Sequence, residues 1–335
     1  MVNAVRRYGP GLALLVAVGL AARLLAAAVP GVNHLIVTII LGLVVGNAVG
    51  VPEWAAPGVT THTLWLEVGI VVMGASVPLD RVIAAGPTIL LLVVATVTAT
   101  VLVVELLARY AFGVGEETGS LLAAGSGICG VSAVVAIAES IDADDAAIGY
   151  AATTVLLFDA TTLFAYPAVG HLLGLSGPVF GVWAGLTMFS TGPVTAAGLA
   201  YSAAAGRWAL LAKLTRNSLI GVAAVAYAVV YASRGESDGP RHRRTGWGFL
   251  WTTFPKFVLG FLGVLVVANF GVLDGAQITS LSHLSNWAFL FAFAGLGLEI
   301  DLEDLLAAGY RPILTVAVGF ALISTTALLV VQALW

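Results

Sequence analysis

The feature that most constrains this chain is a succession of apolar runs, each about 20 residues long, that recur from end to end. Hydrophobic residues fill 60% of the 335 positions and charged residues only 10%, against about 45–50% and about 25% in soluble domains. So few charges cannot solvate a globular surface. The runs therefore predict an all-α polytopic membrane protein, with no room for a soluble catalytic domain.

Polar residues between the runs divide the chain into eleven candidate spans, so we expect about 11 transmembrane helices in one integral membrane domain, residues 1–335. The candidate spans are 11–29, 34–50, 62–77, 87–110, 118–140, 145–172, 179–203, 208–232, 249–271, 281–299 and 311–333. Residues 1–31 look like a signal peptide, but the first run leads directly into a second one, which favours a retained first span.

Lysine and arginine in the short loops predict the orientation. Arg6, Arg7, Arg109 and the basic loop 233–248 fall on one side of eleven spans, whereas the acidic turn 142–145 falls on the other. This bias predicts a cell-membrane protein with a cytoplasmic N-terminus, a cytoplasmic basic loop and an external C-terminus.

Charge and cysteine content limit the partners. The net charge is −4 and no basic face is present, so nucleic acid is not expected as a partner. Cys129 is the single cysteine, which excludes an intramolecular disulfide and a cysteine zinc site. We expect the lipid bilayer and a small molecule or ion as partners, with no cofactor and no metal, and a homodimer stays open.

Two glycine-rich breaks interrupt apolar runs, at residues 125–132 and 187–193. Backbone groups inside a bilayer must be paired within the protein, so an irregular segment there is tolerated only where it lines a protein-enclosed cavity. The alternative is that the glycines merely allow close helix packing. As a binding site, the breaks would contribute Ser126, Gly127, Cys129, Gly130 and Ser132 from the first, and Thr187, Ser190, Thr191 and Gly192 from the second.

A broken helix exposes N–H groups at one end and carbonyl groups at the other, which favour anions and cations respectively. Asp159, near the centre of the sixth span, could bind a cation, carry a proton or pair with a cationic side chain. Lys213 and Arg216 lie three residues apart and share one helix face. They could attract an anion or neutralise Asp159, although Lys213 could also snorkel to the membrane surface.

The segment 74–86 returns as 297–309, with five of thirteen residues identical at a constant offset of 223. The two copies end spans that are seven crossings apart, so they point in opposite directions, as in the inverted repeats of secondary transporters. Chance similarity in a chain rich in Ala, Gly and Leu is the alternative. By the same count the two breaks lie in parallel helices, which does not fit this inverted repeat.

Several short motifs follow one another in order along the chain. They are Ile128-Cys129-Gly130-Val131-Ser132-Ala133, Tyr166-Pro167, Gly170-His171-Leu172-Leu173-Gly174-Leu175, Phe180-Gly181-Val182-Trp183-Ala184-Gly185, Lys213-Leu214-Thr215-Arg216 and the segment Ala294 to Asp301. Together they resemble the YeiH-like sulfate exporter family, which is similar to the group of sodium/proton antiporters and bile acid/sodium symporters. The resemblance implies interleaved panel and core subdomains, with crossed, discontinuous helices in a core that moves against the panel.

These observations favour a secondary transporter of a small inorganic or organic anion, working by alternating access around the two breaks. Coupling to sodium or to protons is left open.

The first alternative is a cation/proton antiporter that uses Asp159. A more remote one is an intramembrane hydrolase with serine or Cys129 as nucleophile, which needs a base within reach. None of the five histidines is central in a span, so no enzyme is expected. A receptor or a structural membrane protein also fits the sequence.

Overall fold

The computed structural model describes residues 2–28, 33–233, 254–303 and 309–335, and the regular structure within them is helical. We number the helices in chain order. They are Val2–Ala28 (α1), His34–Ala48 (α2), Ala56–Val59 (α3), His62–Met73 (α4), Leu79–Leu106 (α5), Glu116–Gly127 (α6), Val131–Ile141 (α7), Asp145–Leu172 (α8), Gly177–Thr187 (α9), Thr191–Tyr201 (α10), Ala203–Asn217 (α11), Ile220–Ser233 (α12), Phe257–Asn269 (α13), Gly275–Glu299 (α14) and Tyr310–Leu334 (α15).

Seven helical segments in the described ranges are long and apolar enough to cross a membrane, by length and composition. They are Arg6–Ala28, Ala56–Ser76, Val82–Ala111, Asp145–Leu172, Ala203–Ser233, Gly275–Glu299 and Tyr310–Leu334. Large apolar side chains such as Leu24, Leu91 and Leu172 are exposed on them, as expected for surfaces that face lipid. The all-α polytopic membrane class predicted from the sequence is confirmed.

Two compact units are assembled from alternating stretches of the chain. Unit 1 comprises Met1–Ala84 and Lys256–Glu303, and unit 2 comprises Ala85–Pro255 and Asp304–Trp335. Unit 1 thus holds α1 to α4, α13 and α14. Unit 2 holds most of α5, then α6 to α12 and α15. The predicted basic loop 233–248 lies outside the described residues, apart from Ser233.

Within unit 1 the predicted repeat recurs as two matched glycine contacts. Gly74 at the end of α4 packs on the carbonyl oxygen of Phe261 in α13, and Gly297 near the end of α14 packs on the carbonyl oxygen of Ile39 in α2. The glycines differ by 223 positions (297 − 74) and their partners by 222 (261 − 39). At both places the absence of a side chain lets two backbones touch, so the equivalence of α4 with α14 extends to α2 with α13.

Two asparagines repeat the same equivalence. Asn47 of α2 donates through Nδ2 to the Ile300 carbonyl (2.7 Å) and accepts the Leu302 N–H at Oδ1 (2.9 Å). We call this the Asn47 clamp, because it holds the chain just beyond α14.

In the Asn269 clamp, Asn269 of α13 donates to the Val77 carbonyl (2.9 Å) and accepts the Leu79 N–H (3.0 Å). Ser285 of α14 donates to the Gly69 carbonyl of α4 (2.8 Å), whereas Gly295 packs on His62, so α4 and α14 run antiparallel. The part of the predicted repeat that the structure describes in unit 1, residues 74–84 and 297–303, is therefore real, and it is inverted.

In unit 2 the first break is the tip of a helical hairpin. Near the tip, Gly125 of α6 lies against Val134 of α7. At the base, the Glu117 carboxylate accepts the N–H of Asp144 at 3.0 Å. A straight helix would separate residues 117 and 144 by about 40 Å at 1.5 Å per residue. The chain therefore turns back at residues 128–130, and α6 with α7 forms hairpin 1.

The second break is also a hairpin tip. At the base, Gly177 of α9 lies beside Ser202, which follows α10, and the rings of Phe180 and Tyr201 stack at 4.0 Å. At the tip, Asn217 of α11 donates to the Thr191 hydroxyl at 2.9 Å. Helices α9 and α10 form hairpin 2, which packs along α11 with both of its arms.

The two hairpins enter unit 2 from opposite ends. The base of hairpin 1 lies beside Arg109, which pairs with Glu116 at 2.6 Å; we call this the Arg109 end. The base of hairpin 2 lies at the Tyr201 end, where the Tyr201 hydroxyl donates to the Leu175 carbonyl. Helix α8 begins at the Arg109 end and finishes at the Tyr201 end.

This geometry refines two expectations from the sequence. The breaks do not lie in helices that pass straight through, because the chain re-emerges on the side from which it entered. Helix α8 is thus the one crossing between them, so the hairpins are inverted rather than parallel. The acidic turn 142–145 accordingly lies at the same end as Arg109, whereas the count of eleven crossings placed them on opposite sides.

Candidate functional site

The two hairpin tips meet at mid-depth in unit 2. Gly130 follows the turn of hairpin 1 with φ +73°, and a Cβ added there would collide with the Ser190 hydroxyl at the tip of hairpin 2. A positive φ and the lack of space both demand glycine at this position. The tips lie beside Asp159, the fifteenth of the 28 residues of α8, which places them halfway along that helix.

Lys213 of α11 joins the two tips. Its ammonium group donates to the Ile128 carbonyl in hairpin 1 (2.9 Å) and to the Met188 (3.4 Å) and Phe189 carbonyls in hairpin 2. The side chain is 0% exposed. It does not snorkel to a membrane surface, so that alternative is wrong.

Arg216 lies one turn further along α11 and binds the same two helix ends. Its guanidinium donates from Nε to the Gly127 carbonyl (2.6 Å), from Nη1 to the Met188 carbonyl (2.6 Å) and from Nη2 to the Ser126 carbonyl. These carbonyls end α6 and α9, and the C-terminus of a helix carries about half a negative charge. The two cations therefore neutralise the carbonyl ends of α6 and α9, which are the first arms of the two hairpins.

Asp159 lies at an N–H end instead. Its Oδ1 accepts the N–H of Ser190 (2.8 Å), the residue that precedes α10, so the carboxylate caps the positive end of the second arm of hairpin 2. Its Oδ2 is buried with no hydrogen-bond partner among the described residues. Asp159 thus binds a helix end directly and keeps one oxygen for a proton or a ligand.

The starts of α7 and α10 are more exposed than the ends of α6 and α9. Ser132, in the first turn of α7, is exposed, and Ser190 and Thr191 are partly exposed. The first N–H groups of a helix have no intrahelical acceptor. At the start of α7 the exposed Ser132 therefore lies beside N–H groups that no helical carbonyl accepts, whereas cations close the carbonyl ends of α6 and α9.

The structure brings together most of the residues singled out in the sequence. Ser126 and Gly127 act through their carbonyls, and the buried Ser126 hydroxyl has no partner among the described residues. Cys129 is buried at the turn and Gly192 in the first turn of α10. Both residues shape the tips and are not exposed.

Thr187 is the exception, because its hydroxyl belongs to a separate polar cluster. It donates to the Trp183 carbonyl and shares a hydrogen bond of 2.7 Å with the Tyr166 hydroxyl, which also bonds Ser324 at 2.7 Å. The stacked rings of Tyr166 and Trp183 complete this cluster. It fixes α9 to α8 and α15.

Sequence reasoning missed Asn217 and the tip carbonyls of Ile128, Met188 and Phe189. Asn217 follows Arg216 directly, and its Oδ1 is buried without a partner in the described part of the chain. Four polar side chains in the five residues 213–217 would have been a usable signal for Asn217. The carbonyls carry no signal in residue identity, since any residue supplies one.

A search of solved structures finds no match. Comparison with protein families finds the family described as Conserved hypothetical protein 698, matched over residues 10–316. A UPF0324 membrane protein of Nitratidesulfovibrio vulgaris is 32% identical over 317 residues, covering 92% of this chain and 88% of the relative.

A UPF0324 membrane protein of Bacillus cereus is 31% identical over 330 residues, covering 97% of this chain and 94% of the relative. The chain therefore belongs to the Conserved hypothetical protein 698 family, together with relatives that carry the name UPF0324 membrane protein.

Proposed function

We propose that this protein is a secondary transporter of a small anion, with its substrate site at the two hairpin tips. The observation that carries the proposal is the division of the helix ends. Lys213 and Arg216 occupy the carbonyl ends of both hairpins, while the N–H end of α7 carries the exposed Ser132. Donors are thus presented to a ligand and acceptors are withheld from it.

The charge of the site supports the same choice. Two buried cations, Lys213 and Arg216, face one buried carboxylate, Asp159, which leaves an excess of one positive charge. Burying an unbalanced charge is costly, and a bound anion would remove the imbalance. A cation at the same place would increase it, so the geometry disfavours the cation/proton antiporter.

Asp159 is the proposed coupling residue. A proton on the free Oδ2 would raise the positive charge of the site and favour anion binding, whereas its loss would favour release. The proposal is therefore cotransport of a proton with an anion by alternating access, in which unit 2 corresponds to the moving core and unit 1 to the panel. The resemblance to YeiH-like sulfate exporters makes sulfate the first anion to try.

Hydrolysis has less support. In the described part of unit 2 the histidine is His171, whose ring stacks on Tyr201 at 4.3 Å, at the base of hairpin 2. Cys129 and Ser126 lie at the opposite extremity of the hairpins. Among the described residues of unit 2, no histidine lies beside a nucleophile at the tips, and we propose transport rather than enzymatic activity.

Flux into liposomes tests the function. Purified protein is reconstituted, and uptake of radiolabelled sulfate and of other small anions is measured under an imposed proton gradient. Ser132→Asp places a negative charge at the donor end and is expected to abolish uptake. Ser140→Asp, near the base of the same arm, is the matched control and should retain it. Binding without flux for every anion would contradict transport.

Asp159→Asn separates the two transport alternatives. The amide keeps the shape and an acceptor for the Ser190 N–H but cannot carry a proton. Anion exchange down its own gradient should survive in Asp159→Asn, while uptake driven by the proton gradient is lost. Asp145→Asn at the exposed start of α8 is the control. Proton-driven flux of a cation, lost in Asp159→Asn, would favour the antiporter instead.

A further inference from the structure

The ammonium group of Lys213 lies in a cage of backbone carbonyl oxygens. Ile128 contributes one oxygen at 2.9 Å, Met188 one at 3.4 Å, and Phe189 another. Clusters of backbone carbonyls are the ligands by which proteins hold bare monovalent cations, because they replace the hydration shell. The chain fills this cage with a cation of its own.

The cage would be strongly negative without Lys213. Its oxygens come from the turns that end α6 and α9, so the partial negative charges of two helix C-termini converge on one point. Arg216 satisfies the neighbouring carbonyls of Ser126 and Gly127 and shares that of Met188. The guanidinium leaves the carbonyls of Ile128 and Phe189 to the ammonium group.

With Lys213 in place, a mobile cation has no room and no electrostatic reason to enter. The ammonium group occupies the cage, and the guanidinium adds a second fixed positive charge beside it. Each would repel a sodium or potassium ion at contact distance, and in a buried site this repulsion is weakly screened.

We propose that Lys213 takes the place of a bound monovalent cation, so that the hairpin tips work with no sodium or potassium ion. The consequence for coupling rests on the proposed function, since it concerns the ions that drive transport; the cage itself does not. Removal of the lysine side chain would turn the cage into a binding site for a small monovalent cation.

The chain offers a matched control. It contains two lysines, Lys213 and Lys256. Lys256 precedes α13 and is exposed. Lys213→Ala removes the caged ammonium group, and Lys256→Ala removes the same charge from the surface.

The test measures thermal unfolding of purified protein in detergent at constant ionic strength. Sodium, potassium or ammonium ions progressively replace N-methylglucamine, which is too large for the cage. The unfolding midpoints of wild type and Lys256→Ala should not depend on which cation is present. That of Lys213→Ala should be lower in N-methylglucamine and rise by several degrees, saturably, with at least one small cation, because a ligand that binds only the folded state stabilises it.

A saturable rise of the wild-type midpoint with sodium or potassium would overturn the proposal. So would a folded Lys213→Ala protein that responds equally to all four cations. If Lys213→Ala does not accumulate, the wild-type titration still decides, because a protein that needs a bound alkali ion at the tips must respond to it.

The thermal titrations of wild type and of Lys213→Ala do not require flux, so they separate this proposal from the proposed function. If wild type transports no anion but Lys213→Ala gains a cation response, transport is refuted and the proposal for Lys213 stands. If a sodium gradient drives anion flux in the wild type, transport is supported and the proposal that Lys213 replaces a cation is refuted.

Discussion

At the scale of single residues, Gly130 is the most constrained position of the site. Its φ of +73° lies in the left-handed region, and Ser190 fills the place where a side chain would begin. Either factor alone disfavours a substitution. Together they make the contact between the hairpin tips dependent on one missing methyl group.

We expect Gly130→Ala to destabilise the protein by about 1–3 kcal/mol, the usual cost of a strained backbone conformation, with added loss from the clash. Gly149→Ala is the control, since Gly149 is helical, has open space at its Cβ position and a negative φ; it should be neutral or stabilising. Thermal unfolding in detergent compares them. Equal stability of both variants would mean that the tips do not touch.

The residues of the site differ in how far the sequence predicts them. Asp159, Lys213 and Arg216 were predictable, because a charge within an apolar run is costly and must have a partner. Their partners were not, because Asp159 and Lys213 bind main-chain groups rather than each other. Main-chain acceptors leave no trace in the residue types.

At the scale of elements, the two hairpins show that an apolar run long enough to cross a bilayer can instead turn back within it. Residues 118–140 and 179–203 are long enough to span a bilayer, and the count of crossings treated them so. A glycine-rich turn halfway along is compatible with an unwound crossing helix and with a reversal. The Glu117–Asp144 and Phe180–Tyr201 contacts decide for reversal, and such contacts depend on the fold rather than on local sequence.

A disulfide should detect the reversal in hairpin 1. In a Cys129→Ala background, the pair Glu117→Cys with Asp144→Cys should cross-link rapidly under mild oxidation, because the two residues adjoin at the base. The pair Glu117→Cys with Leu172→Cys is the control and should not, since α8 separates its ends by about 40 Å. Mobility shifts after proteolysis between the cysteines report the bond. No cross-link in the first pair would restore the crossing helix.

At the scale of the whole molecule, the order of the elements explains why the repeat was visible only in part. The matched contacts equate α2 with α13 and α4 with α14. Hairpin 1 begins at residue 116, after α4, whereas hairpin 2 ends at residue 201, before α13. A constant offset that aligns α4 with α14 therefore cannot align the two hairpins.

The contribution of the repeat to stability can be measured at the two asparagine clamps. Asn47→Ala and Asn269→Ala each remove two hydrogen bonds to the backbone of the opposite copy, so each should cost about 1–2 kcal/mol. The two losses should be similar, and the double variant should show their sum, measured as shifts of the thermal midpoint. Asn47→Asp and Asn269→Asp lose only the donor and should fall between. A large loss for one asparagine and none for the other would contradict their equivalence.

The Asn269 clamp joins residues that are synthesised at very different times. Val77 and Leu79 receive their partner from a residue 190 or more positions later in the chain. At about 5–20 residues per second, a ribosome needs roughly 10–40 s to make that distance. During this interval the Val77 carbonyl and the Leu79 N–H have been synthesised without their partner Asn269. A nascent chain shorter than 269 residues therefore lacks the Asn269 clamp, and its first half must stay in the membrane until the second half is made.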